Sequence, residues 1–190
     1  MYHIKEDKRA QKSADLIYEG LSALMEKKEY DRITITDIQE ASTVGRATFY
    51  RNFDNVADVL YWQCDIHYKE CMTGYLEQTG NMDDPYHFLK YFFDYWIKEG
   101  NSKILEQIIS IGHYDIIFSC HFNSSKILSA IDPTKPGNNT KFYKYYMSGL
   151  IGAFVGFLIT WISNGKILTS DELIEMMMAY GDDNAMRFFM

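Results

Sequence analysis

Apolar residues recur at steps of three and four through most of the chain, strand-like alternation is rare, and prolines stand only at positions 85, 133 and 136. This is the periodicity of amphipathic helices, so an all-α fold is expected. Ala10, Ala14, Ile17, Leu21, Leu24 and Met25 form one stripe within a first helix over 9–27, and Tyr30 and Ile33 read as a loop folded back on it. Thr34, with Asp37 three residues on, is a good N-cap for a short helix carrying Ile35, Ile38 and Ala41, which ends in the turn Ser42-Thr43-Val44-Gly45. A second short helix runs from Arg46 to Arg51, and a third starts after Asn55 and carries Val59, Leu60, Trp62, Ile66 and Met72.

Further along, Asn81-Met82-Asp83-Asp84-Pro85 marks a helix start, and that helix is expected to end at Gly100. Helices over 103–111 and 114–131 precede the loop 132–140, which holds two prolines and Gly137-Asn138-Asn139. From Tyr145 to Gly165 no residue is charged, a run long enough to span a bilayer. Its four glycines, Ser148, Thr160, Ser163 and Asn164 favour instead a helix that is apolar on nearly every face and buried in the protein or between subunits. Thr169-Ser170-Asp171-Glu172 is a capping box that opens the final helix.

Composition narrows the class. The 190 residues hold 47% hydrophobic and 16% aromatic residues and carry a formal net charge of −7, which fits a folded chain and excludes both disorder and a uniformly basic nucleic-acid coat. Residues 1–60 contain nine Lys and Arg against eleven Asp and Glu, but Ala41 to Phe53 contains Arg46 and Arg51 and no acid. Positive charge is thus concentrated on one short element. Cys64, Cys71 and Cys120 are odd in number and lack framework spacing, and no apolar signal segment stands near Met1, so a reducing compartment, the cytoplasm, is expected.

Two short helices joined by a tight turn, packed on a first helix, are the shape of a helix-turn-helix. In that geometry the second helix enters the major groove. Arg46 reaches a guanine edge or a phosphate, Ala47 permits close approach or meets a thymine methyl, Thr48 and Tyr50 offer hydroxyls to phosphates, and Phe49 and Phe53 point inward.

The run from Ile33 to Phe53, with its Thr48-Phe49-Tyr50-Arg51-Asn52-Phe53 core, resembles the signature of the tetracycline-repressor (TetR/AcrR) family of bacterial transcription regulators. The signature covers about the first 65 residues; the aromatic stretch from Phe142 to Trp161 and the capped last helix look like the C-terminal half of a Firmicutes-type subgroup. The resemblance implies a DNA-binding unit over 1–55, with its motif at 34–53, and a helical regulatory and dimerisation domain over 56–190. It implies a homodimer on a palindromic double-stranded operator, acting as a repressor that answers to a small apolar or aromatic effector, with no catalytic role and no cofactor. Carried over by position, the DNA face comprises Thr34, Thr36, Arg46, Ala47, Thr48, Tyr50, Arg51 and Asn52. The pocket falls to Phe88, Phe92, Trp96, Tyr114 and Phe118, and the dimer interface to Gly149, Gly152, Ala153, Gly156, Phe157 and Trp161.

Four positions depart from the family pattern: Thr43 where the turn usually has Gly, Gly45 where a Ser usually caps, Ala47 where Gly is common, and Asp54-Asn55-Val56 where lysines often meet the backbone. The last departure removes phosphate contacts and keeps open a second reading, a co-activator or protein-interaction module related to the family. Cys64, His67 and Cys71 fall at i, i+3 and i+7, a spacing compatible with a thiolate–imidazole metal site, but with no further Cys or His pair nearby they read as packing and no metal is assigned. Met176, Met177, Met178 and Met186 read as adaptable interface packing. No Gly-rich phosphate loop, nucleophile–base arrangement or H-x-x-x-H is found in the sequence.

Overall fold

The computed structural model describes residues 2–5, 7–80, 84–131 and 143–183, and the secondary structure of these residues is helical apart from one isolated β-bridge. The elements are α1 (Lys8–Met25), a single 3-10 turn (Tyr30–Arg32), α2 (Ile35–Ser42), α3 (Arg46–Asn52), α4 (Val56–Thr79), α5 (Pro85–Trp96), α6 (Glu99–Ser110), α7 (Tyr114–Ile131), α8 (Tyr143–Ser163) and α9 (Ser170–Asp183). No helix among the described residues is long and apolar enough to cross a membrane. The expected loop 132–140 and Met186 lie outside the described residues.

The chain forms two compact units: residues up to His67 together with Ile104–His121, and Tyr68–Lys103 together with Phe122 onward. The helix-turn-helix segment expected over 1–55 lies inside the first, which also takes in the opening turns of α4. In that unit the α1 stripe is buried at Ala14, Ile17 and Leu21, and it meets Ile38 from α2, Phe49 from α3 and Phe53 in one core. The return of the chain from α1 is fixed by the 3-10 turn, with Ile33 buried as its sequence position requires.

In the second unit, Tyr68, Met72 and Tyr75 continue the buried face of α4, which runs on to Thr79, past the last apolar position expected for it. Phe92, Phe93 and Trp96 from α5, Val155, Leu158 and Trp161 from α8, and Leu173 and Ile174 from α9 complete its core. Across α5 and α9, Lys90 Nζ donates to both Asp171 carboxylate oxygens at 2.8 Å, and the buried Ser170 hydroxyl donates to Asp94 at 2.5 Å. The box at Thr169 forms as expected, with the Thr169 amide donating to Glu172 at 2.9 Å and the Glu172 amide donating back at 3.3 Å.

One boundary differs from the expectation. Gly100 does not end α5. The Ile97 amide closes α5 on the Phe93 carbonyl, and α6 starts at Glu99 with the Asn101 and Ser102 amides on the Lys98 carbonyl, so Gly100 lies in the first turn of α6.

Two local geometries set the relation of α1, α2 and α3. Gly20 on α1 lies under α2: a Cβ added there would stand 3.0 Å from both the Cβ and the backbone nitrogen of buried Ser42, so the two helices approach at the limit glycine allows. The Ser42 hydroxyl accepts from the Val44 amide at 3.2 Å and starts the turn. Thr43 then adopts φ 60°, ψ 15°, a left-handed conformation that is costly for a β-branched residue.

Gly20→Val is expected to lower stability by about 1–3 kcal/mol, as overpacking against immovable backbone does, read as an earlier midpoint in urea unfolding. A variant with the wild-type midpoint would show that α1 and α2 can separate freely. Thr43→Gly is expected to act in the opposite direction, raising stability by up to about 1 kcal/mol as the left-handed strain is relieved against the added chain entropy. A melting temperature at or below wild type would show that no strain is held there.

Candidate nucleic-acid interface

The interface is built on α2 and α3. Thr34 caps α2 as its sequence predicts: the Asp37 amide donates to the Thr34 hydroxyl at 3.2 Å while the Thr34 amide donates to the Asp37 carboxylate at 2.7 Å. Lys28 Nζ donates to the same carboxylate at 2.7 Å. The Lys28 hydrogen bond, joined by the two from Thr34, holds the Asp37 carboxyl at about 2. A carboxyl depressed by folding favours the folded state above its ordinary range and loses that contribution as pH falls towards 2. The cap is therefore intact throughout the neutral range. Thr34 and Thr36 both stand exposed at the start of α2.

α3 has only seven residues and no side-chain cap, since Gly45 occupies the cap position. Its inward face is Phe49 and, just beyond the helix, Phe53, at 1% and 0% exposure, with Phe53 packed edge-on against Trp62 at 5.8 Å between ring centroids. Its outward face carries Arg46, Ala47, Tyr50 and Arg51, all exposed, with Thr48 half-buried between. The Arg46 guanidinium lies 5.6 Å from the centre of the Tyr50 ring, one helical turn on, a cation–π contact that restrains both side chains.

Asn52 does not join that face. It is 2% exposed, and its side-chain nitrogen has no hydrogen-bond partner among the described residues, so its place is in the packing at the end of α3 and not among the groups presented to a ligand. The helical period explains this, because Asn52 follows Phe49 by three residues and shares its inward side.

After Phe53 the Asp58 carboxylate is used at the start of α4, while the Asp54 carboxylate lies against His3. The Asp58 amide donates to Asn55 Oδ1 at 3.0 Å, and the Asp54 amide donates to the Asp58 carboxylate at 3.1 Å. Sequence reading missed the segment ahead of α1, whose Tyr2 forms a β-bridge with Phe53; the only signal for it was an aromatic and a β-branched residue, Tyr2 and Ile4, in front of a polar helix start.

The other candidate residues fall in different surroundings. Phe88, Phe92 and Trp96 belong to the second unit, where the Phe92 ring lies 6.1 Å from each of the other two and Tyr68 lies 5.2 Å from Trp96. Tyr114 and Phe118 belong to the first unit and are 43% and 39% exposed. A cleft of about 570 Å³ in the first unit is lined by Met25, Lys28, Glu29, Tyr30, Asp31, Ser110 and Ile111, none of them a predicted pocket residue. On α8, Gly149, Ala153 and Gly156 are exposed, Gly152 and Phe157 are half-buried, and Trp161 is turned inward, its indole nitrogen donating to the Leu168 carbonyl at 2.9 Å and its ring 5.4 Å from Phe93. Cys64, Cys71 and Cys120 are buried and form no disulfide among the described residues, burial pushes the Cys71 thiol far above its usual range, and no metal-ligating group of three is found among those residues.

No family model matches the chain, and no curated protein matches it in sequence. Among solved structures it is similar to Lin0861 from Listeria innocua, with a TM-score of 0.73 over 99% of this chain and 96% of that one, at 20% sequence identity. The likeness extends over the whole helical fold, and at this identity it speaks for the fold alone.

Proposed function

We propose that this chain is a DNA-binding transcriptional regulator of the tetracycline-repressor type, a repressor that binds a palindromic operator as a homodimer. The observation that carries this reading is the division of α3 into a buried face, Phe49 and Phe53, and an exposed face of Arg46, Ala47, Tyr50 and Arg51 free of acidic side chains. A short helix held from behind by its aromatic residues, with two cations and a hydroxyl in front, suits insertion into the major groove. Thr36, exposed at the start of α2, offers a hydroxyl to the sugar–phosphate backbone in this reading, whereas the Thr34 hydroxyl already donates to the Asp37 carboxylate at 2.7 Å and serves the cap.

Dimerisation falls to α8, where Gly149, Ala153 and Gly156 leave a small-residue strip open at helical spacing. Such a strip permits close approach of a helix from a second copy. The effector, a small apolar or aromatic molecule, is assigned to the second unit on the resemblance and on the density of rings along α5. Its binding biases the dimer towards a spacing of the two reading helices that no longer fits successive major grooves. No catalytic role belongs to this reading. The co-activator reading draws on one observation, the Asp54 and Asp58 carboxylates beside the end of α3, where phosphate contacts are weakest.

Arg46→Ala and Tyr50→Ala are each expected to reduce affinity for a duplex selected by the wild-type protein by about 10- to 100-fold, the range for removal of one good base contact, with no change in melting temperature. If both bind that duplex as wild type does, α3 is not the reading element. Gly156→Asp is expected to yield monomers in sedimentation at micromolar concentration. A dimer of wild-type stability in that variant would move the interface off this face of α8.

A further inference from the structure

The segment ahead of α1 is tied to the end of the reading helix. Tyr2 forms an antiparallel bridge with Phe53, the His3 amide donates to the Asn52 carbonyl at 2.8 Å, and His3 Nε2 lies 3.0 Å from Asp54 Oδ1. The Tyr2 hydroxyl donates to the buried Asp65 carboxylate at 2.5 Å, and its ring packs 5.9 Å from Tyr61. The arm is thus fastened at the point where α3 ends and α4 begins.

Beyond that anchor the chain carries Lys5, Lys8, Arg9 and Lys12, all exposed and in no ion pair among the described residues. Lys8 and Arg9 open α1, and its first turn holds no acid. Cations at that end oppose the helix dipole, so they contribute nothing to the stability of α1. The Asp7 side chain already accepts from the Arg9 and Ala10 amides at 3.0 and 2.8 Å, so the helix start itself is satisfied. What remains is a set of exposed positive side chains, in no ion pair among the described residues, on the segment that the Tyr2–Phe53 bridge ties to the end of α3.

We infer that this arm is a second DNA-contacting element: Tyr2 holds it beside the end of α3, and Lys5, Lys8, Arg9 and Lys12 lie along the phosphate backbone flanking the groove that α3 reads. It supplies the backbone charge that Asp54-Asn55-Val56 does not. The inference rests on the DNA-binding reading and extends it from one short helix to two elements with separate tasks, since phosphate contacts set affinity and salt dependence while base contacts set sequence preference.

The test uses the full chain, a fluorescent duplex selected by the wild-type protein from a random-sequence pool, and a scrambled duplex. Binding is followed from about 50 to 300 mM KCl, a range that brackets the ionic strength at which the Debye length is about 10 Å. For the variant combining Lys5→Ala, Lys8→Ala, Arg9→Ala and Lys12→Ala, the slope of log affinity against log salt is expected to fall by about 0.9 for each phosphate that is no longer neutralised. Its preference for the selected duplex over the scrambled one is expected to persist. Tyr2→Phe, which keeps every charge but removes the hydroxyl's hydrogen bond to Asp65 and so loosens the anchor, is expected to weaken binding in the same sense, whereas Arg46→Ala loses preference. A folded quadruple variant with the wild-type slope overturns the arm while leaving α3 in place. A wild-type protein that enriches no duplex and binds neither at the lowest salt overturns the DNA-binding reading and the arm with it.

Discussion

Everything at the proposed reading face depends on the burial of Phe49 and Phe53. Seven residues cannot hold a helix in water, because the nucleus costs more than two turns return. The face of Arg46, Ala47, Tyr50 and Arg51 therefore has a fixed direction only because the opposite side is driven out of water and packed on Ile17, Leu21, Ile38 and Trp62 in the first unit. The same two rings explain the position of the arm, since Phe53 leaves its backbone extended and able to bridge Tyr2. Close approach at Gly20 and the left-handed Thr43 follow from the need to bring α2 and α3 onto that core across the short connection from Thr43 to Gly45.

Charge is distributed to the same end. The net charge of −7 disfavours indiscriminate adsorption to DNA, and it falls largely outside the short region from Ala41 to Phe53. At the α3–α4 junction the acids are engaged internally: Asp58 completes the cap of α4, and Asp54 lies against His3. Their negative charge still stands where lysines are usual in the family that the motif resembles. On the proposed reading, each phosphate contact not made weakens correct and incorrect sites alike, so affinity falls while discrimination rests on the base contacts of α3.

Much of this was legible in the residues. The α1 stripe, the Thr34 and Thr169 caps, the inward Phe49 and Phe53 and the helical character of the uncharged stretch all follow from periodicity and cap chemistry, which are local signals. Gly100 was misleading because glycine is tolerated in a first turn as well as after a last one, and only the hydrogen bonds of Lys98 decide between them. Asn52 was carried to the DNA face by motif position, although its spacing from Phe49 already places it on the buried side. The Tyr2–Phe53 bridge and the Tyr2–Asp65 hydrogen bond join residues more than fifty positions apart, and no periodicity reports such a pairing.

The aromatic residues of α5 show where sequence density and site chemistry part. A run of rings along the middle of a chain invites a stacking pocket, yet Phe92, Phe93 and Trp96 are fully buried against one another and against Tyr68, Phe154 and Trp161, with centroids 5.0 to 6.1 Å apart. At these separations the rings satisfy each other in tilted and edge-to-face pairs. An effector entering this cluster has to part such contacts and replace them with its own apolar surface, so its binding free energy is reduced by the packing it displaces. That cost is also what would let the proposed effector act: a molecule opening a packed core would favour a conformation the unliganded chain does not hold, and a difference of this kind between two states is what a regulatory switch requires.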